Sequence, residues 1–543
     1  MNGWAAVLGA PLSLNVPQLL RCDAPMTVVG RARIDARADL VRALGVPPGT
    51  GDLELIAGAY RRWGEACVEH FIGDFSFALW DGERLFCARD RFGIRPLYHA
   101  RFGETLIATD TLAALLDVVP RTLDQEALAL FFIHGVNTDL RRTTYAHVSR
   151  VPPAHRLVAD GDRLRVERYW SFALRDEPLR IDEREAAEEL GRHLDLAVRD
   201  RARGTAVVSM SGGIDSTAVA ATLVRGGANG VRAVTSVWDE LIPDQERGFA
   251  ASAARALGIE IDYQVCDRYE PFERWDDPAI RGIEPKSEPF SAAFHDLIRM
   301  AAARGTLLLG GWGADPMLAT SQSYFVDLLR RGRWLRFARE AAGFALTRRR
   351  RPPLLLRTRF LRAIGVHTNR DTPPPWLKPE LRARWNDWPT ADDRRHRWRP
   401  EAFRGLTSNA WPAVFESYDA SATGQPIEYA APFFDVRLLE FALSLPPMPH
   451  FAGKDILRQA MRGALPDEVR LRPKTPLQGD PLAVVWPRTL RRWAAVVEEC
   501  DALDAFLNRR ILLERFLQGT HSDVRHQSTA VALGLWLRYQ TRP

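Results

Sequence analysis

The stretch that decides the fold is TAVVSMSGGIDSTAVAA, residues 205–221. TAVVSM reads as a short buried strand and STAVAATLVRGG as a helix, with a glycine-rich turn, Ser211-Gly212-Gly213-Ile214-Asp215-Ser216, between them. Glycines there let the backbone turn tightly and present N–H groups to anionic oxygens, and the helix N-terminus adds partial positive charge. The pattern is that of a phosphate cradle. It lacks the Gly-Lys-Ser/Thr end of one common phosphate loop and the GxGxxG of dinucleotide folds. A plain capped turn would explain the serine and glycines but gives no reason for Asp215.

Downstream, strand and helix alternate: VRAVTSVW (231–238), QERGFAASAARALG (245–258), IEIDYQV (259–265), FSAAFHDLIRMAAARG (290–305) and TLLLGG (306–311). Strands separated by crossover helices predict a parallel, doubly wound sheet. A second glycine turn, Gly310-Gly311-Trp312-Gly313-Ala314-Asp315, follows the last of these strands. Ligands of open parallel sheets collect beyond the carboxyl ends of the strands, so both turns can face one crevice. Asp215 and Asp315 could then share a divalent cation with a triphosphate, a sparse carboxylate ligation that suits magnesium.

Upstream, the first 170 or so residues alternate apolar and polar positions in MTVVGRARID (26–35), FIGDFSFALWD (71–81), RLFCARDRF (84–92), LYHARFG (97–103) and TLIATD (105–110). These predict a strand-rich region with a few helices, such as RADLVRALG (37–45) and LDQEALALFFIHG (123–135). Beyond residue 320 the pattern is mostly helical, broken by TRRRRPPLLLRTRF (347–360) and DTPPPWLKPE (371–380). No internal repeat is visible.

The 543 residues allow three or four domains, or two large ones, at roughly 150 residues each. A hydrophobic share of 46% with 26% charged residues excludes wholesale disorder. The five scattered cysteines (Cys22, Cys67, Cys87, Cys266, Cys500) form no CxxC pair and fit a reducing compartment. No apolar run approaches the roughly 18–20 residues of a membrane span, and the N-terminus lacks the basic start of a secretion signal, so a cytoplasmic protein is expected. A net charge of +6, with no nucleic-acid motif beside it, does not point to RNA or DNA. Of the 74 basic residues only Lys286, Lys378, Lys454 and Lys474 are lysines. The arginine excess reads as compositional, which singles out the remaining lysines.

SGGIDS between strand and helix resembles the loop of the N-type ATP pyrophosphatases, which cut ATP into AMP and pyrophosphate to adenylate an acid. The resemblance extends through GDFSFALWD, LFCARDRFGIRPLYH, GGWGAD, IEYAAPFFDVRLLEFALSLP (427–446) and GKDILRQAMRGALPDEVRLRPKT (453–475), in the order seen in asparagine synthetase B and its relatives. It implies an α/β chain of two parts: a glutaminase-like, Ntn-type α/β sandwich over 1–170, and over 171–543 an ATP-pyrophosphatase synthetase with a doubly wound parallel sheet and a helical C-terminal part.

Glutamine-using members of this family begin Met-Cys-Gly, the cysteine being the nucleophile; this sequence begins Met1-Asn2-Gly3. A carboxamide cannot form the thioester, so ammonia release from glutamine is expected to be absent. The resemblance then implies a member that takes the amine from its own substrate, as β-lactam synthetases and lasso peptide cyclases do. The β-lactam enzymes carry a tyrosine base where this chain has Trp312, which lacks an ionisable hydroxyl. GGWGAD, LLRRGRWLRFARE (328–340) and PPPWLKPE (373–380) are more similar to lasso cyclases. The expected function is an ATP-dependent lasso peptide cyclase; a small-molecule amide synthetase and a non-catalytic peptide-binding scaffold are the alternatives.

By the same resemblance, Ser211, Gly212, Gly213, Asp215 and Ser216, with Gly311, would hold ATP, and Asp215 with Asp315 would hold Mg²⁺. Ser236 would contact the adenosine and Trp312 the substrate. Glu428 would be the base or amine-positioning group, although Ala430 stands where the family often has arginine. Lys474 would stabilise charge on the pyrophosphate and acyl oxyanion, with Lys454 a supporting phosphate contact. Implied partners are a precursor peptide, a leader-binding protein and a leader peptidase. Arg348 to Arg351 are read as a solvated basic loop rather than a docking site for an acidic partner.

Overall fold

The computed structural model describes residues 3–9, 14–23, 26–320, 324–348, 373–473, 479–518 and 524–540. The N-terminal strands are β1 (Trp4–Leu8), β2 (Gln18–Arg21), β3 (Thr27–Asp35), β4 (Ile72–Trp80), β5 (Arg84–Arg89), β6 (Tyr98–Phe102), β7 (Thr105–Thr109), β8 (Ser149–Arg150), β9 (His155–Asp160) and β10 (Arg163–Arg168). They form two five-stranded sheets, ordered β2-β1-β7-β6-β8 and β10-β9-β5-β4-β3.

Period-two patterning assigns the layers. Trp4 and Ala6 of β1, Leu106 and Ala108 of β7, and Leu85 and Cys87 of β5 share the core between the two sheets. The alternate residues Phe86 and Ala88 of β5 face outward onto the helices Arg37–Leu44 and Asp52–Trp63. Ala5 and Val7 of β1 and Ile107 of β7 face the opposite way, onto the helix Gln125–His134. That helix is buried at seven of its ten positions because it is apolar nearly all round, LALFFI included. Asp124 caps it, accepting the Glu126 and Ala127 N–H groups at 2.9 and 3.1 Å.

The third sheet is wholly parallel: β11 (Ala206–Ser209), β12 (Arg232–Val237), β13 (Glu260–Val265), β14 (Leu307–Leu309) and β15 (Glu428–Ala430), in the order β13-β12-β11-β14-β15. Its first strand is central, the arrangement in which chain direction reverses beside the phosphate loop. The helices Glu183–Arg201, Ile214–Arg225 and Ser291–Ala302 cover it and bury one contiguous core with it.

The C-terminal helices Pro481–Glu498 and Val524–Gln540 do not join that core. Their Trp486, Trp493, Trp536 and Leu537 pack in one cluster with Ala5, Val7 and the helix Gln125–His134. A buried ionic seam ties the sheets as well. Arg201 reaches Asp435 at 2.8 Å, Asp35 at 3.4 Å and Asp74 at 3.9 Å, while Arg33 pairs with both Asp35 and Asp74. Burial alone would raise the Asp435 carboxyl, but Arg201 and Arg437 hold it well below the usual carboxylate range.

Arg201→Met leaves Asp35, Asp74 and Asp435 buried with part of their countercharge removed. It is expected to cost about 3–5 kcal/mol of folding stability, read as a lowered urea midpoint.

Candidate active site

The two glycine turns meet at the carboxyl ends of β11 and β14. A Cβ on Gly311 would lie 3.1 Å from the Ser216 nitrogen and 3.2 Å from the Asp215 Cβ, so only glycine lets the turns approach so closely. Ser211 Oγ and Ser216 Oγ are 3.2 Å apart, and the Ser216 hydroxyl donates to the Ser211 carbonyl at 3.3 Å. The Gly213 N–H reaches Ser211 Oγ at 3.4 Å. Asp215 sits in the first turn of the helix Ile214–Arg225, where a carboxylate is favoured by the aligned peptide dipoles.

Asp215 and Asp315 come together on one cation of the chain itself. The Lys454 ammonium contacts Asp215 Oδ2 and lies 2.7 Å from Asp315 Oδ1. Lys454 adopts a left-handed φ of 61°, uncommon for a residue with a Cβ, directly before the helix Asp455–Ala460. No group of three or more His, Cys, Asp or Glu residues suited to a metal occurs among the described residues. Two carboxylates drawn to a common point nevertheless fit Mg²⁺, which takes one or two carboxylates and completes its shell with phosphate oxygens and water.

Ser236 is exposed at the carboxyl end of β12, and its hydroxyl donates to Gln264 Oε1 at 2.9 Å. Gln264 is itself fixed by Tyr269 Oη at 3.0 Å and the Ala293 carbonyl at 2.9 Å. Trp312 is 45% exposed and donates its indole N–H to Tyr418 Oη at 2.9 Å. The Tyr418 ring stacks on Tyr429 at 4.1 Å, and burial raises both phenols, so they stay neutral at physiological pH.

Glu428 is set apart from the loop. It opens β15 opposite Leu307, two residues, about 7 Å, before the level of Leu309. Its carboxylate pairs with Arg95 and lines a cavity of about 530 Å³ with Arg31, Asp52, Tyr418 and Asp419. Lys474, Asn2 and Arg349 to Arg351 lie outside the described residues, as does the side chain of Arg348.

Several neighbours of the site were not marked by its motifs. Glu246 accepts the Gly212 N–H at 2.7 Å, and Arg472 pairs with Glu246 at 3.1 Å. Arg399 donates to the carbonyls of Met317 and Ala319 at 2.5 and 3.1 Å, pinning the chain just after Asp315. Burial lowers this guanidinium to about 9. His396 Nδ1 in turn accepts the Trp398 and Arg399 N–H groups at 3.3 and 3.1 Å, and burial, with Arg399 beside it, pushes the imidazole down to about 4. Position in RLRPKT is the one local signal that could have picked out Arg472; the others are brought in by the fold.

Residues 189–538 match the asparagine synthase family, and residues 37–170 match the glutamine amidotransferase domain. The N-terminal sandwich is thus glutamine amidotransferase-like and precedes an asparagine synthase domain built on the parallel sheet. The chain is similar to a glutamine-hydrolysing asparagine synthetase 3 of Bacillus subtilis, 25% identical over 79% of this chain and 70% of the relative. It is 28% identical to amidase chyE of Penicillium rubens, over 52% of this chain and 44% of that one. A putative glutamine-hydrolysing asparagine synthetase of Mycobacterium tuberculosis is 29% identical over 49% and 42%. The matched stretch spans less than half the length of the latter two relatives. No helix among the described residues is long and apolar enough to cross a membrane.

The depressed His396 fixes the sign of a pH effect. Unfolded, the imidazole binds a proton near pH 6.5; folded, it resists until about 4. Stability is therefore full above pH 6.5 and falls as the pH drops toward 4, by up to about 3 kcal/mol from this group. Urea midpoints measured across that window are expected to fall less steeply for His396→Gln than for the parent chain.

Proposed function

The chain belongs to the asparagine synthase family of ATP-dependent amide-forming ligases, and from that premise we propose that it closes a ring within a peptide rather than making asparagine. In this reading an Asp or Glu side chain of a precursor peptide is adenylated by ATP. The peptide's own N-terminal amine then displaces AMP, leaving a macrolactam of the lasso cyclase kind.

The observation that carries the reading is the lack of a thiolate in the glutamine amidotransferase-like half. Asn2 stands where glutamine-using relatives have cysteine. Burial pushes Cys22 and Cys67 up to about 12 and Cys87 well above its ordinary value. Attack on glutamine requires the thiolate, and none of these thiols supplies it near neutral pH. The cavity between the two halves is also crossed by charge: Arg31 pairs with Asp419 at 2.5 Å and Arg95 with Glu428. These pairs favour an amine delivered by the substrate over ammonia arriving from the other half.

The chain's own groups suit the two steps. Ser211, Gly213 and Ser216 offer hydroxyl and N–H donors to the phosphates at a helix N-terminus, while the Gly212 N–H stays on Glu246. Asp215 and Asp315 would hold Mg²⁺, which supplies charge neutralisation on phosphate oxygens when bound. Ser236 and Gly311 border the nucleotide, and Trp312 borders the peptide. The carboxylate attacks the α-phosphorus, the α–β bridge breaks, and pyrophosphate leaves. Lys454, and in this proposal Lys474, balance the charge on that leaving group. Glu428, lining the cavity, is the carboxylate that would receive the peptide's ammonium before closure. The ammonium gives up one proton to that carboxylate or to solvent, the resulting amine attacks the acyl carbon, AMP departs, and a second proton passes to solvent. Holding the peptide folded supplies proximity, and enclosing the adenylate limits hydrolysis. A leader-binding protein and a leader peptidase would deliver the freed amine.

The asparagine synthetases among the relatives favour, as a second reading, a small-molecule amide synthetase. The test is mass spectrometry of a precursor peptide with a free N-terminus, incubated with ATP and magnesium. The expected product is lighter by one water, with AMP and pyrophosphate formed alongside; Asp215→Ala is expected to lose at least a hundredfold in rate. Turnover of an N-carboxyalkyl amino acid without activity on peptides would replace this reading with the second, and an amide nitrogen drawn from glutamine would end it.

A further inference from the structure

Three segments meet on one peptide of the phosphate loop. The Gly212 N–H donates to Glu246 Oε2 at 2.7 Å, and Glu246 Oε1 pairs with Arg472 Nη2 at 3.1 Å. The Arg472 guanidinium lies over the Phe249 ring at 4.0 Å. A Cβ on Gly212 would fall 2.5 Å from the Phe249 Cβ and 2.8 Å from Arg472 Nη1, so the arginine packs directly on the loop. Both charged side chains are largely withdrawn from solvent, at 10% exposed for Arg472 and 17% for Glu246.

The backbone that carries Arg472 is itself fixed. Arg458 Nη2 donates to the Arg472 carbonyl at 2.6 Å, and Arg458 Nη1 donates to the Arg470 carbonyl. Reorientation at Arg472 is thereby confined to its side chain. The carboxylate of Glu246 engages a loop N–H through the same kind of anionic oxygen that a phosphate presents. A phosphate brought to this loop lies close to that carboxylate, and like charges in a partly buried site repel strongly. Arg472 is the cation beside both, with a planar fork suited to phosphate.

We propose that Arg472 is a phosphate-binding residue held in reserve by Glu246: as the pyrophosphate end of ATP enters the loop, Arg472 passes from the Glu246 carboxylate to phosphate oxygens. Glu246 is then a positioning residue that keeps the loop and the arginine in register and sets the affinity for the anion. The inference rests on the loop being a phosphate cradle; it does not depend on which amine closes the amide.

The test is calorimetric titration of the full chain with inorganic pyrophosphate and, separately, ATP, without peptide. Glu246→Gln keeps an acceptor for the Gly212 N–H but no longer competes for Arg472, and is expected to tighten pyrophosphate binding about tenfold. Arg472→Gln is expected to weaken it roughly 10- to 100-fold, and in that background Glu246→Gln should tighten binding by clearly less than tenfold, because only the direct repulsion is left to relieve. If Arg472→Gln fails to fold by thermal melting, Arg472→Lys is expected to bind several-fold more weakly than the parent, because a point charge loses the two-pronged contact. Unchanged or weaker binding by Glu246→Gln, parental binding by the Arg472 variant that folds, or no pyrophosphate binding by the parent chain overturns the proposal. A chain that shows the expected pattern and yet cyclises no peptide removes the reading of the product and leaves this one standing.

Discussion

The guanidinium of Arg201 is the point on which the two halves depend. It ends the helix Glu183–Arg201 that leads into the parallel sheet, yet its partners come from β3, β4 and the residue before the helix Val436–Ser444. Three carboxylates withdrawn from water could not be held there without a cation able to address several of them at once. A planar fork with five donors does so, where a compact ammonium would not. The same solution recurs along the seam: Arg89 reaches Glu416 at 3.0 Å, and Arg150 spans Glu416 and Glu284.

That seam revises the meaning of the arginine excess, which composition alone presents as drift. Eight arginines (Arg33, Arg89, Arg95, Arg150, Arg201, Arg399, Arg458 and Arg470) are buried among the described residues. Six of them, Arg33, Arg89, Arg95, Arg150, Arg201 and Arg399, donate to backbone carbonyls or carboxylates far away in sequence, and these contacts set where the strands and turns sit. One lysine holds a place of a complementary kind. At Lys454 the geometry draws two carboxylates onto a single point, which an ammonium suits better than a spread guanidinium.

What could be read in the sequence was local. Period-two alternation placed the N-terminal strands, and the glycine turns placed the loop, because both depend on residues a few positions apart. That β11 to β14 run parallel also followed, since crossover helices leave little choice. Contacts across long separations were not legible. Arg472 is 260 positions from Gly212, and the helix Ser291–Ala302 is tied to Ser236 through Gln264. Glu428 illustrates the limit: its motif marks it for the site, but the register sets it opposite Leu307, before the carboxyl end of the sheet, where it pairs with Arg95 and lines the cavity. The C-terminal helices are amphipathic or apolar in a way that predicts burial, but nothing in their pattern names the N-terminal sheet as what they cover.

That last packing has a consequence for how the polypeptide comes into being. Ala5, Val7 and Ile107 present an apolar sheet face to the helix Gln125–His134, and that helix is covered in turn by a cluster that includes Trp486, Trp493 and Trp536, more than three hundred and fifty residues downstream. During synthesis the N-terminal sheets can pair with each other long before that cover exists. The outer side of that helix then waits, with the adhesiveness of an unfinished interface, until the helices Pro481–Glu498 and Val524–Gln540 leave the ribosome. The N-terminal half thus acts as a template on which these later helices are laid down, a task that needs its shape and none of its chemistry.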